Sequence, residues 1–181
     1  MKKEILNDKT ADKLNKAIVI YESQTGYTKK YAEWISEELN CEYKARSNIK
    51  RTELENYKYI IYGGWIMADM IKGFDKIKNQ INPTIVFAVG SCPAYEEVVS
   101  ELKQKNKVDA PFFYFQGGIK LDKLKFLQKK LIELLSNQIK KKENKTRKEK
   151  FMAEYLGTDF DFSSKEQIKE LVEYFINKKS S

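Results

Sequence analysis

Residues 23–28 (SQTGYT) place three hydroxyls and one glycine in a single short stretch. An apolar run, residues 17–21 (AIVIY), precedes it, and Tyr31, Ala32, Ile35 and Leu39 follow at helical spacing. A turn in this position opens a helix, whose first amides are unpaired and carry partial positive charge, which suits an anion. Ser23, Thr25 and Thr28 offer further neutral donors, and Gly26 permits close backbone approach or positive φ. A nucleoside-triphosphate loop requires Gly-Lys-Ser/Thr, but here Tyr27 follows Gly26. A dinucleotide fingerprint requires three glycines, and this turn has one. A single phosphate monoester, held without a basic side chain, fits best. The plain alternative is an ordinary capped turn.

Such a turn needs a sheet beneath it. Residues 17–21 are a continuous apolar run rich in β-branched residues, as in a strand buried on both faces. Residues 41–45 are expected as an edge strand. Residues 57–62 (YKYIIY) form the next strand, stopped by Gly63 and Gly64. Residues 83–89 (PTIVFAV) end at Gly90, and residues 112–115 (FFYF) are closed by Gly117 and Gly118. Helices fall between them. Thr52 with Glu55 matches a capping pattern, and Ile71, Phe74 and Ile77 mark a helical face. Pro93 opens a helix continued by Glu96, Val98, Val99 and Leu102. Ser163 with Glu166 caps the last helix, whose stripe is Ile168, Leu171, Val172 and Phe175.

This alternation predicts an α/β fold: a doubly wound five-stranded parallel sheet, order 2-1-3-4-5, with right-handed crossovers. Ligands of such sheets lie beyond the carboxyl ends of the strands, at the switch point beside strand one, where the turn is placed. Residues 16–181 are expected as one domain behind a polar extension, residues 1–15. Residues 119–159 exceed a minimal five-strand fold and form an insert before the last helix. Its Leu121, Leu124, Leu127, Leu131, Leu134 and Leu135 make an apolar stripe flanked by Lys123, Lys125, Lys129 and Lys130. The charged link KKKENKTRKEK follows it.

The 34 basic residues exceed the 26 acidic ones, and residues 120–150 hold twelve of the former and four of the latter. That leaves 22 of each sign elsewhere, so the insert carries the whole surplus. A localised basic face points to an acidic partner or to a solvated helix. There is no histidine, which removes imidazole bases, histidine metal ligands and a Ser-His triad. No metal site and no protein acid or base is assigned. Two cysteines, Cys41 and Cys92, make no disulfide framework. No apolar stretch reaches spanning length, and the first residues lack the apolar core of a signal peptide. The expectation is a chain in a reducing cytoplasm, with peripheral contact at the inner face of the membrane left open.

SQTGYT resembles the S/T-x-T-G-x-T phosphate loop of flavodoxins, and the resemblance runs from Lys16 to about Lys178. The stretches YIIYGGWIMADMIKGF and FYFQGGIKLDKLKFL resemble the branch that holds the flavodoxin-like protoporphyrinogen oxidases. That branch also has a long insert, and TRKE, residues 146–149, is similar to part of it. The resemblance implies bound flavin mononucleotide (FMN), with Ser23, Gln24, Thr25, Gly26, Tyr27 and Thr28 on its phosphate. It implies a ring held by Gly64, Trp65, Ile66 and Met67 and by Gly90, Ser91 and Cys92. Tyr95 is a candidate for the opposite ring face, or packs on its own helix. Trp65 stacks on the ring or covers a core edge. Cys92, beside the implied flavin, is a candidate to react with an oxidised substrate, though it lacks a resolving cysteine or a basic neighbour in sequence. The oxidases carry a small polar residue at the Trp65 position and an arginine at that of Met67, and GSCPAYEE departs from their second loop. Flavodoxins that act as free carriers are acidic, and this chain is basic.

Three functions follow as expectations. The first is an FMN flavoprotein, electron carrier or oxidoreductase, working with a redox partner protein or a small-molecule acceptor. The second is a quinone-linked protoporphyrinogen oxidase-like enzyme whose residues 120–150 meet an anionic membrane. The third is a cofactor-free binding module. Nucleic acid is not an expected partner.

Overall fold

The computed structural model describes residues 16–180, so the expected polar extension lies outside the described residues. In chain order the elements begin with β1 (Ala17–Glu22), α1 (Tyr27–Leu39), β2 (Glu42–Ala45) and α2 (Arg51–Leu54). Next come β3 (Tyr59–Met67), β4 (Met70–Ile71), α3 (Phe74–Lys78), β5 (Ile85–Gly90) and α4 (Glu96–Lys105). The chain then forms β6 (Phe112–Gln116), β7 (Gly118–Ile119), α5 (Phe126–Lys141), α6 (Arg147–Tyr155), β8 (Phe160–Asp161) and α7 (Lys169–Ser180). The central strands run β2-β1-β3-β5-β6, all parallel, which is the expected five-strand order.

Alternate residues of each central strand enter opposite cores, because side chains point to opposite faces of a sheet. Val19, Ile61 and Phe87 meet α1 and α7 on one side, through Tyr31, Ile35, Leu171 and Phe175. Ile18, Ile20, Tyr62 and Val86 meet Leu54, Phe74 and Ile77 on the other. Both faces being covered explains why these strands read as unbroken apolar runs.

Several boundaries differ from the sequence expectation. The third strand does not stop at Gly63 and Gly64 but runs through them to Met67. At Gly63 a Cβ would fall 2.0 Å from Phe87 Cζ on the neighbouring strand, and at Gly64 one would fall 2.7 Å from the Lys72 carbonyl oxygen. The glycines admit close neighbours, so the strand continues. Ile71 belongs to β4, which pairs antiparallel with β3, and the helix after it begins only at Phe74. The short second helix is capped by Glu53, whose carboxylate accepts from the Lys50 amide at 2.8 Å, not by Thr52. The fourth helix begins after Tyr95, three residues into the expected one, since the Tyr95 amide turns back to the Pro93 carbonyl. Ser164, not Ser163, caps the last helical segment, accepting from the Glu166 amide; Ser163 instead accepts from Lys30 Nζ at 2.8 Å.

The insert differs most. Its charged link is mostly helix, with Lys140 and Lys141 inside α5 and residues 147–150 inside α6. Thr146 and Glu149 form a capping box, each side chain accepting from the other's backbone amide. The two helices enclose a core of their own, Ile119, Ile139 and Leu156.

Candidate functional site

β1 and β3 deliver their carboxyl ends side by side, and the turn after β1 crosses the top of the sheet. Gly26 takes φ 100°, a left-handed conformation in which a side chain is strained, and an added Cβ would meet nothing within 4 Å. It stands at the N-cap of α1 with no side chain capping the first amides. The Ser23 and Thr28 hydroxyl oxygens are both buried without a hydrogen-bond partner, and Thr28 is only 1 % exposed. An unpaired buried hydroxyl costs about 1–3 kcal/mol, so two in one turn are unusual. A group with several acceptor oxygens, seated on the helix N-terminus, fits them.

Gln24, Thr25, Tyr27 and Thr28 line one end of a cavity of about 570 Å³. Trp65, Ile66 and Met67 line its wall from the end of β3, and Gly90, Ser91 and Cys92 do so from the end of β5. These residues are therefore brought together. Ser23, Gly26, Gly64 and Tyr95 are not among the lining residues. Ser23 and Gly26 shape the turn, and Gly64 lies within the strand. Tyr95 caps α4 and lies 4.5 Å beneath the Arg147 guanidinium.

Ala68 and Asp69 join β3 to β4 as a two-residue hairpin turn, both with positive φ, and both line the cavity. The Tyr114 hydroxyl donates to the Cys92 carbonyl at 2.6 Å, and Gln116 Nε2 donates to the Ser91 carbonyl at 3.1 Å. Those bonds fix the loop after β5. Burial pushes the Cys92 thiol above its ordinary range, and the nearby Lys148 only partly offsets it. A raised thiol is a poor nucleophile. Desolvation likewise raises Tyr27 to about 12, and its hydroxyl donates to the Phe160 carbonyl at 2.9 Å.

The far wall is apolar and comes from the insert: Leu124, Leu131, Ile132, Leu135, Ile139 and Met152. Polar contacts hold that wall in place. Gln128 Nε2 donates to Gln24 Oε1 at 3.0 Å, and Gln24 Nε2 donates in return. Asp69 meets Lys105 at 2.7 Å and Lys148 at 3.2 Å. The hydrogen bond from Lys105, helped by Lys148, holds the Asp69 carboxyl below its ordinary range. The sequence pattern does not mark Asp69, Tyr114, Gln128 or Lys148 as site residues. Tyr114 had a local signal, being the polar member of an aromatic strand; the other three are paired only by the fold.

A doubly wound sheet with a hydroxyl-rich turn and two strand-end loops around a cavity at its switch point has the arrangement of a ligand-binding α/β domain. The chain belongs to the flavodoxin domain family, whose pattern matches residues 18–147. No curated protein matches the sequence. Among solved structures it is similar to a putative flavoprotein from Bacteroides eggerthii, at 15% identity and a TM-score of 0.43, covering 55% of this chain and 85% of that one. It is also similar to a flavodoxin from the domain Archaea, at 21% identity and a TM-score of 0.40, covering 56% and 85%. A third likeness is to rubredoxin oxygen:oxidoreductase from Desulfovibrio gigas, at 18% identity and a TM-score of 0.39, covering 79% of this chain and 35% of that one.

Proposed function

We propose that this chain binds FMN and acts in electron transfer as a flavoprotein. The observation that carries the proposal is the pair of buried, unpartnered hydroxyls of Ser23 and Thr28 at the N-terminus of α1. Together with Thr25 and the free amides they would hold the phosphate. Trp65, Ile66 and Met67 on one side and Gly90, Ser91 and Cys92 on the other would hold the ring. The flavin supplies hydride and single-electron exchange, and the protein supplies position and access. The tyrosines of the cavity are raised by burial and already donate to carbonyls, so they keep their protons at neutral pH.

The apolar wall of the insert favours a small apolar electron acceptor over a bare carrier role, and this keeps the quinone-linked oxidase as the second reading. Trp65 and Met67 depart from the oxidase pattern, so porphyrinogen is not assigned as substrate. Two free cysteines fit a reducing cytoplasm. Among the described residues no helix is long and apolar enough to cross a membrane.

Purified protein should be yellow, and the cofactor released by heat should be FMN by mass. A colourless protein that takes up neither FMN nor riboflavin would instead be a cofactor-free binding module. Trp65 gives a second test. It is half-buried on the cavity wall, with Lys72 Nζ 6.0 Å from its ring centre. Its fluorescence should fall when FMN binds, and Trp65→Ala should shift the more negative redox couple upward. A smaller residue lets water solvate the anionic reduced ring. Unchanged potentials and affinity would leave Trp65 with packing alone.

A further inference from the structure

α5 has more apolar surface than the cavity uses. Gln128, Ile132, Leu135 and Ile139 turn toward the cavity, and Ser136 and Ile139 are buried. Phe126, Leu127, Leu131 and Leu134 remain 58–78 % exposed, although a soluble surface seldom gathers four such side chains on two turns. Lys130 and Lys141, eleven residues and about three helical turns apart, share a flank, and Lys129 and Lys140 share another about 100° round the helix. The Lys130 ammonium lies 4.9 Å from the Phe126 ring centre, which places that lysine row against the exposed strip.

We propose that this outer face of α5 docks on an anionic lipid surface, its leucines at the acyl boundary and its lysines among the headgroups. A strip of apolar side chains bordered by a row of lysines is the arrangement of a helix lying in a bilayer interface. The charge argues for lipid over a second copy. Residues 120–150 carry twelve basic and four acidic side chains, so two such faces would repel. The face is also a single convex helix, which suits a flat deformable surface and long lysine stems that reach outward. Leu131 and Leu135 belong both to the cavity wall and to the exposed surface, so docking turns that side of the cavity toward the lipid.

The test is flotation of the full chain with vesicles of phosphatidylcholine alone, or of equal parts phosphatidylcholine and phosphatidylglycerol, at low and high salt. The expected result is binding to the phosphatidylglycerol vesicles only, mostly lost at high salt as the charges are screened. Lys129, Lys130, Lys140 and Lys141 changed together to Gln should lower partitioning by about tenfold or more. Leu127→Gln with Leu134→Gln should do the same at unchanged lysine content, by about tenfold. All these positions are exposed, and an unchanged circular dichroism spectrum checks that each variant folds. Binding that ignores salt or headgroup charge overturns the proposal, as does binding that survives the leucine changes. No flotation at low salt overturns it too, with a soluble acidic protein as the remaining occupant. A concentration-dependent dimer lost in the leucine variant also overturns it, in favour of a second copy.

Discussion

Thr28→Val should weaken FMN binding by about tenfold to a hundredfold while leaving the apoprotein as stable as before, or more so. The two effects have one cause. The Thr28 hydroxyl is buried without a partner, so its removal spares the apoprotein an unsatisfied group worth about 1–3 kcal/mol. Valine keeps the shape, and its helix propensity is close to that of threonine. The same hydroxyl donating to a charged phosphate contributes about 1.5–3 kcal/mol, which is the loss expected in the complex. Riboflavin lacks the phosphate, so its affinity should hardly change. Ser23→Ala should act in the same direction. Calorimetric titration with FMN and riboflavin, beside urea unfolding of the apoprotein, separates these quantities. Equal losses for both ligands, or a destabilised apoprotein, would take the phosphate role away from this turn.

Gly63→Ala should destabilise the protein by about 3 kcal/mol or more, at the upper end of what overpacking costs. The new Cβ would lie within 2.5 Å of three ring atoms of Phe87. Phe87 is the cross-strand partner of Gly63 and is fully buried, so its ring has nowhere to swing. An aromatic ring laid over a strand glycine is a known device for covering exposed backbone, and any side chain there removes it. The unfolding midpoint of a chain this size should drop by about 6–12 °C. Phe87→Leu would lose packing by itself, yet combined with Gly63→Ala it should cost less than the sum, with a coupling of about 1 kcal/mol or more. Additive losses in that cycle would show that the ring is not what excludes a side chain at Gly63.

The same glycines show why parts of the fold were hard to read. Glycine after an apolar run ordinarily marks a stop. Only the arrival of Phe87 and β4 against residues 63 and 64 shows that these glycines make room instead. The central strands were legible because burial on both faces leaves continuous apolar runs, and their spacing already implied the crossovers. Helix starts were less so: Ser163 and Ser164 are equally good caps in sequence, and tertiary contact with Lys30 decides between them. In the site, the hydroxyl turn was legible because its chemistry is contained in six consecutive residues. The Gln24–Gln128 pair joins positions 104 apart, and Asp69–Lys148 joins positions 79 apart. Neither spacing leaves a trace in a local pattern. Spacing alone puts the leucines on one stripe, but the structure divides it, Leu131 and Leu135 reaching the cavity while Leu127 and Leu134 stay outside.

The small core of the insert has a consequence for how the molecule breathes. Among the described residues three buried side chains form it, against fifteen and eleven in the two cores that flank the sheet. Its ties to the loops around the cavity include the glutamine pair, the Asp69–Lys148 ion pair and the Arg147–Tyr95 stack. Partly exposed polar ties of this kind are individually weak and compete with water. Local opening is therefore expected to be least costly here, with α5 and α6 separating from the sheet before its strands part. The main cores would stay closed during such an excursion, which would give the cavity a route of exchange that leaves the fold intact.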